Sequence, residues 1–138
     1  MIPCQRSKPM IPLLTPLYAG LLALIFVVLS WRVILYRRAN LISLGDSGDK
    51  ALLKRMRAQA NCAEYAPVAI ILMLLAELSG APGVAVHTLG IAFVTGRILH
   101  AIGFSATPQK IGLRQIGMVL TLMGITFSAL GLILHGLI

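Results

Sequence analysis

The sequence predicts an all-α membrane protein, a four-transmembrane-helix bundle formed by one domain over residues 1–138. Three observations lead there. With 58% hydrophobic residues, 12% charged residues and a mean hydropathy of +0.91, a chain of 138 residues is too apolar for a soluble domain. Its long apolar runs show no period-2 alternation and its aromatic content is only 6%, which disfavours a transmembrane barrel. The Lys and Arg residues flank the apolar runs instead of forming a basic module with interleaved aromatics, so the net charge of +8 is read as membrane topology and anion contacts, with no nucleic-acid partner.

The first helix is expected over about 12–35, after a short polar lead carrying Arg6 and Lys8. Its apolar run is too long for a signal-peptide core and leads into Arg32, Tyr36, Arg37 and Arg38 instead of a small-residue cleavage site. Trp31 and Tyr36 suit the membrane interface. A turn-rich connector from Asn40 to Asp49 follows, where Ser47 or Asp46 is a candidate cap for the next helix. The second helix is expected over about 50–79, roughly 45 Å at 1.5 Å per residue, so its first turns must project into the headgroups. Pro67 falls in its middle, where it removes the hydrogen bond to the Ala63 carbonyl and favours a kink. Gly80 stops that helix and Pro82 starts the next, giving a third helix over about 83–104 and a fourth over about 111–135.

Seven basic residues between Arg32 and Arg57 surround the first connection, Lys110 and Arg114 mark the third, and the second has none. The positive-inside rule therefore puts loops one and three in the cytoplasm, although Arg6 and Lys8 pull mildly the other way.

The stretch from Arg57 to Pro67, RAQANCAEYAP, drives an arginine, an asparagine and a glutamate into an apolar helix. Such groups are costly in lipid, which makes them candidates for function. At about 100° per residue, Arg57, Asn61 and Glu64 fall within a sector roughly 60° wide, a stripe that runs back through Lys54 and Lys50. Gln59 and Tyr65 add amide and phenol groups, a mixture suited to a zwitterionic ligand with carboxylates and an ammonium. The plainer reading is a structural Arg57–Glu64 ion pair.

Helix three places Arg97, His100 and Phe104 at i, i+3 and i+7 near the same end. Arg97 is either a snorkelling interfacial anchor or part of the site, and His100 either a neutral core residue or a ligand contact. Arg114 is either a flanking charge or the cation that holds a thiolate. Cys4 and Cys62 show no metal or redox spacing and the three histidines lie on separate segments, so no metal site is expected. Gly117, Gly124 and Gly131 recur every seven residues, a smooth seam for another helix.

These residues resemble a known family, the membrane-associated proteins in eicosanoid and glutathione metabolism (MAPEG). RAQANCAEYAP is similar to the corresponding stretch of the family's leukotriene-forming branch. Arg37-Arg38 at the end of helix one resembles its arginine pair, and GRILHAIGF (96–104) its third-helix motif. Length and first loop look like those of the small members found in the bacterial inner membrane. The resemblance implies a homotrimer holding glutathione, as co-substrate, between subunits near the cytoplasmic face. Carried over by position, Arg37, Arg57, Gln59, Asn61, Glu64 and Tyr65 would bind glutathione, with His100 at the place of a ligand-contacting tyrosine. Phe104 stands where the leukotriene branch has a second tyrosine and cannot donate a hydrogen bond. Arg114 or Arg38 would lower the thiol pKa and so favour thiolate.

The expected function is a glutathione-dependent membrane transferase, or peroxidase, that joins the thiol to a hydrophobic small molecule from the membrane lipid. A non-catalytic lipid- or glutathione-binding membrane protein is the alternative. A small exporter ranks last, because its signature would be an uncompensated intramembrane carboxylate and Glu64 has Arg57 two turns away.

Overall fold

A computed structural model describes residues 14–137, which form four α-helices in chain order: α1 (Thr15–Ala39), α2 (Lys50–Leu78), α3 (Gly83–Ser105) and α4 (Ile111–Leu137). All four are long and apolar enough to cross a membrane. The expected polar lead with Cys4, Arg6 and Lys8, and the expected start of helix one at Pro12, lie outside the described residues.

α1 runs four residues past its expected end, so Tyr36, Arg37 and Arg38 belong to its last turn, where basic groups complement the negative end of the helix dipole. Asn40 closes it, donating both its backbone N–H (3.1 Å) and its side-chain amide (2.8 Å) to the Tyr36 carbonyl. α2 is capped by Asp49, not by Ser47 or Asp46. The Asp49 carboxylate accepts from the backbone N–H groups of Ala51 (2.7 Å) and Leu52 (3.1 Å). Asp46 instead accepts from Gly48 N–H within the turn, and Ser47 sits at φ 49, outside helical geometry. The second Asp49 oxygen takes the Tyr36 hydroxyl (2.8 Å), and the Arg55 guanidinium lies 4.1 Å over the Tyr36 ring. One carboxylate thus ties the end of α1 to the start of α2.

α2 continues through Pro67 as one helix and ends in a Schellman turn. Gly80 takes φ 85, its N–H reaches the Glu77 carbonyl and the Ala81 N–H reaches the Ala76 carbonyl.

α2 and α3 occupy the middle of the bundle, and α1 and α4 lie apart from each other on either side. α3 is the most enclosed helix. Tyr18, Leu22, Cys62, Ala69, Met73 and Phe93 belong to the core that joins α1, α2 and α3. α3 and α4 approach backbone to backbone where Gly96 meets Gly117, since a Cβ on either would fall against the other's carbonyl. Of the seven-residue glycine seam, Gly117 and Gly124 are used within the chain, against the α3 backbone and the Phe93 ring, while Gly131 faces open space. The outer faces keep large apolar side chains exposed, among them Leu24, Val28 and Trp31 on α1 and Leu130 and Ile133 on α4, as lipid-facing surfaces do.

Candidate functional site

Helix register keeps the polar stripe of α2 on the side turned away from α1. Ala63, Ala66, Pro67 and Ile70 face α1 instead, lining a cavity of about 220 Å³ with Leu22, Ala23 and Phe26. Arg57 and Glu64 are exposed, whereas Asn61 and Tyr65 are half-buried and turned toward α3. No Arg57–Glu64 ion pair forms among the described residues. Two exposed opposite charges remain on one helical face, flanking an amide and a phenol.

Behind them stands Arg97, which is 2% exposed. It is no snorkelling anchor. Its Nη1 donates to Asn61 Oδ1 at 2.5 Å, its Nε and Nη2 donate to Thr121 Oγ1 at 3.1 and 2.8 Å, and Nη2 also reaches the Gly117 carbonyl at 3.4 Å. Thr121 passes its own proton to that same carbonyl at 3.0 Å. The guanidinium also lies 5.2 Å from the centre of the Tyr65 ring. One cation on α3 therefore joins α2 to α4 directly beneath the stripe, in the buried setting where such a group must be fully hydrogen-bonded.

The rest of this end is assembled from α3 and α4. His100 is buried one turn after Arg97, with its ring 5.7 Å from that of Phe104. Arg114, exposed in the first turn of α4, lies 4.6 Å over the Phe104 ring and one turn before Gly117. Lys54 reaches from the stripe to the α3–α4 connection, donating to Thr107 Oγ1 at 3.2 Å and to the Ala106 carbonyl at 3.4 Å. Asn61 and Tyr65 of the stripe thus meet Arg97 of α3, with His100 one turn further along α3 and Arg114 over Phe104 toward the end of the bundle that carries loops one and three, while Arg57 and Glu64 stay exposed on the same α2 face.

Three expected site residues are not brought to that side. Gln59 is two positions from both Arg57 and Asn61, about 200° around the helix, and so shares the α1 side with Ala63 and Met56. Arg37 packs there too, donating through Nη2 to Met56 Sδ at 3.3 Å while its Nη1 is buried without a hydrogen-bond partner. Arg38 is exposed at the end of α1. Within one chain α2 stands between Arg37 and the stripe, and Gln59 lies on the far side of α2 from it.

The opposite end has a different chemistry. The Glu77 carboxylate accepts the backbone N–H groups of Leu14 and Thr15, both at 2.8 Å, and so caps α1 from α2. Tyr18 and His87 share a 2.7 Å hydrogen bond across α1 and α3, with the Tyr18 ring packed on Gly90. A cavity of about 590 Å³ is also here, lined mainly by apolar groups such as Ala85, Leu89, Phe127 and Leu132.

Sequence reading missed Asp49 as the cap, Glu77 altogether, and Thr121 as an Arg97 partner. A buried arginine inside an apolar helix was the available signal for the last, since five N–H donors there demand acceptors.

Residues 15–134 match the family model described as the MAPEG family. The chain is also 38% identical, over 92 residues covering 67% of its length and 70% of the relative, to Inner membrane protein YecN of Escherichia coli (strain K12). The protein of the same name in Escherichia coli O6:H1 matches with the same identity and coverage.

Proposed function

The chain belongs to the MAPEG family, and from that premise we propose that it is a glutathione-dependent transferase, or peroxidase, of the bacterial inner membrane. The family is one of integral membrane proteins in eicosanoid and glutathione metabolism. The observation that carries the proposal is the gathering of Arg57, Asn61, Glu64 and Tyr65 on one face of α2, with His100 and Arg114 beside them and no Arg57–Glu64 pair to occupy the charges.

Each group has a task that suits glutathione. Arg57 meets a carboxylate, Glu64 the ammonium, and Asn61 and Tyr65 the amide backbone, so the tripeptide is held by both of its charge signs. Arg114 is the better thiol activator of the two arginines, because it shares the α2–α3–α4 side with the stripe whereas Arg38 does not. A cation beside sulfur raises the thiolate fraction at neutral pH. The thiolate attacks an electrophilic carbon supplied from the bilayer, forming the S–C bond as the leaving group departs with the bonding pair.

The site is completed by a second copy in a homotrimer, with loops one and three in the cytoplasm. Arg37, Arg38 and Gln59 of one subunit then face the stripe of its neighbour.

A non-catalytic lipid- or glutathione-binding role is the second reading, favoured by Phe104. This apolar ring under Arg114 offers no hydrogen bond to a ligand.

Both readings are tested by adding glutathione to the purified trimer and following thiolate absorbance and conjugation to a chlorodinitrobenzene electrophile. Thiolate and product that vanish in Arg114→Ala support the transferase. Binding without thiolate or product supports the second reading, and absence of glutathione binding overturns the transferase and the glutathione-binding role alike, leaving only a lipid-binding one.

A further inference from the structure

Arg97 has donors only, so its contact with Asn61 dictates which way the Asn61 carboxamide points. An arginine cannot accept a hydrogen bond, and the group facing its Nη1 must be the carboxamide oxygen. The Asn61 Nδ2 is thereby turned away from Arg97. It has no protein partner among the described residues and is not among the buried polar atoms left unpaired, so it stands open on the face that carries Arg57 and Glu64. Arg97 is itself held against rotation by two bonds to Thr121 and one to Gly117.

We infer that Arg97 is a positioning residue that locks Asn61 as a hydrogen-bond donor toward the ligand, so that this point of the site selects a carbonyl or carboxylate oxygen and rejects a donor. The inference rests on the glutathione reading and deepens it. It assigns Asn61 to an acceptor of the tripeptide, a peptide carbonyl or a carboxylate oxygen, and leaves the ammonium to Glu64. Free asparagine could flip to present either its oxygen or its nitrogen at similar cost. With its oxygen taken by a fixed guanidinium, a flip would set the Nδ2 protons against the Arg97 donors and lose a charge-assisted bond.

The discriminating variant is Asn61→Asp. It keeps the shape and the acceptor for Arg97, so the bundle keeps its buried contact, but it replaces the outward donor with an acceptor. Glutathione affinity is measured by calorimetry on the purified full-length protein, with thermal unfolding in the same detergent as the check on folding. The expected result is a folded N61D protein that binds glutathione at least tenfold more weakly than wild type. Arg97→Met should lose affinity similarly, and Arg97→Lys, which keeps a cationic donor, should retain more than Arg97→Met does.

Binding by N61D within threefold of wild type overturns the inference, because Asn61 would then serve only to satisfy Arg97. If N61D fails to fold, the Arg97 pair decides: Arg97→Met binding as well as Arg97→Lys overturns the inference. A wild-type protein that binds no glutathione overturns the functional reading itself, and is distinguished by failing before any variant is compared.

Discussion

The two ends of this bundle solve the same problem in opposite ways. Each must accommodate polar groups next to lipid. At the loop-two end the Glu77 carboxylate closes on the N–H groups of Leu14 and Thr15, and Tyr18 closes on His87. At the loop-one end Arg97 is satisfied from below by Asn61, Thr121 and Gly117, while Arg57, Glu64 and the Asn61 amide nitrogen remain turned outward. The first arrangement consumes polar groups in holding helices together. The second consumes one arginine in presenting others. Cost is tolerated at an exposed charge in a membrane protein chiefly where it meets a ligand or a water-filled path.

Variants can break this contrast, and the largest effect should come from Arg57→Ala. It removes an exposed charge that packs against nothing buried, so glutathione affinity should fall by about 100-fold, or roughly 2.8 kcal/mol at 1.4 kcal/mol per tenfold. The unfolding temperature should barely move. A large loss of stability with unchanged affinity would show that the stripe is structural after all.

Glu77→Ala should do the reverse. It leaves two backbone donors at the α1 start without their carboxylate, and should destabilise the protein by about 2 kcal/mol while glutathione affinity holds. Calorimetric binding beside thermal unfolding in detergent checks both halves, and a loss of affinity would join the two ends into one functional unit.

Gly90→Ala comes next, because a Cβ there would run into the Tyr18 ring. Overpacking of that kind costs about 1–3 kcal/mol. Gly131→Ala, with nothing near its Cβ, is the control and should change unfolding by less than about 0.5 kcal/mol.

The smallest effect concerns pH. The Asp49 carboxyl is held below its ordinary value, first by the Leu52 N–H, then by the Tyr36 hydroxyl and the Ala51 N–H. A group whose pKa is lowered by folding stabilises the protein above its unfolded pKa, about 3.9 for Asp, and loses that contribution as pH falls through the folded value. Helicity of the α1–α2 junction should therefore be constant from neutral pH down to about 4 and weaken below it. The acid step should be missing in Asp49→Asn; if it persists there, another carboxyl is responsible.

Much of the loop-one end was legible in advance. The stripe of Arg57, Asn61 and Glu64 follows from residue spacing on a helix, and its outward charges lie where that spacing put them. The cap was misplaced by a few residues because Asp46, Ser47 and Asp49 all suit the role by type, and only Tyr36 on another helix singles out Asp49. Arg97 was read as a possible anchor because hydropathy says how far a residue is from a loop, not whether α4 packs over it. Gln59 was grouped with its neighbours in sequence, although two residues along a helix is a turn to the other side.

The sequence by itself determined four membrane spans, the charge asymmetry of their connections and a polar face on α2, because hydropathy and helical period are local properties. The tertiary structure decided which helices that face meets. It placed Thr121 and Gly117 beneath Arg97, turned the Asn61 oxygen inward, and put α2 between the stripe and Arg37. Those outcomes depend on contacts between residues far apart in the chain, where a hydrogen bond is fixed by the packing of whole helices and leaves no period in the sequence.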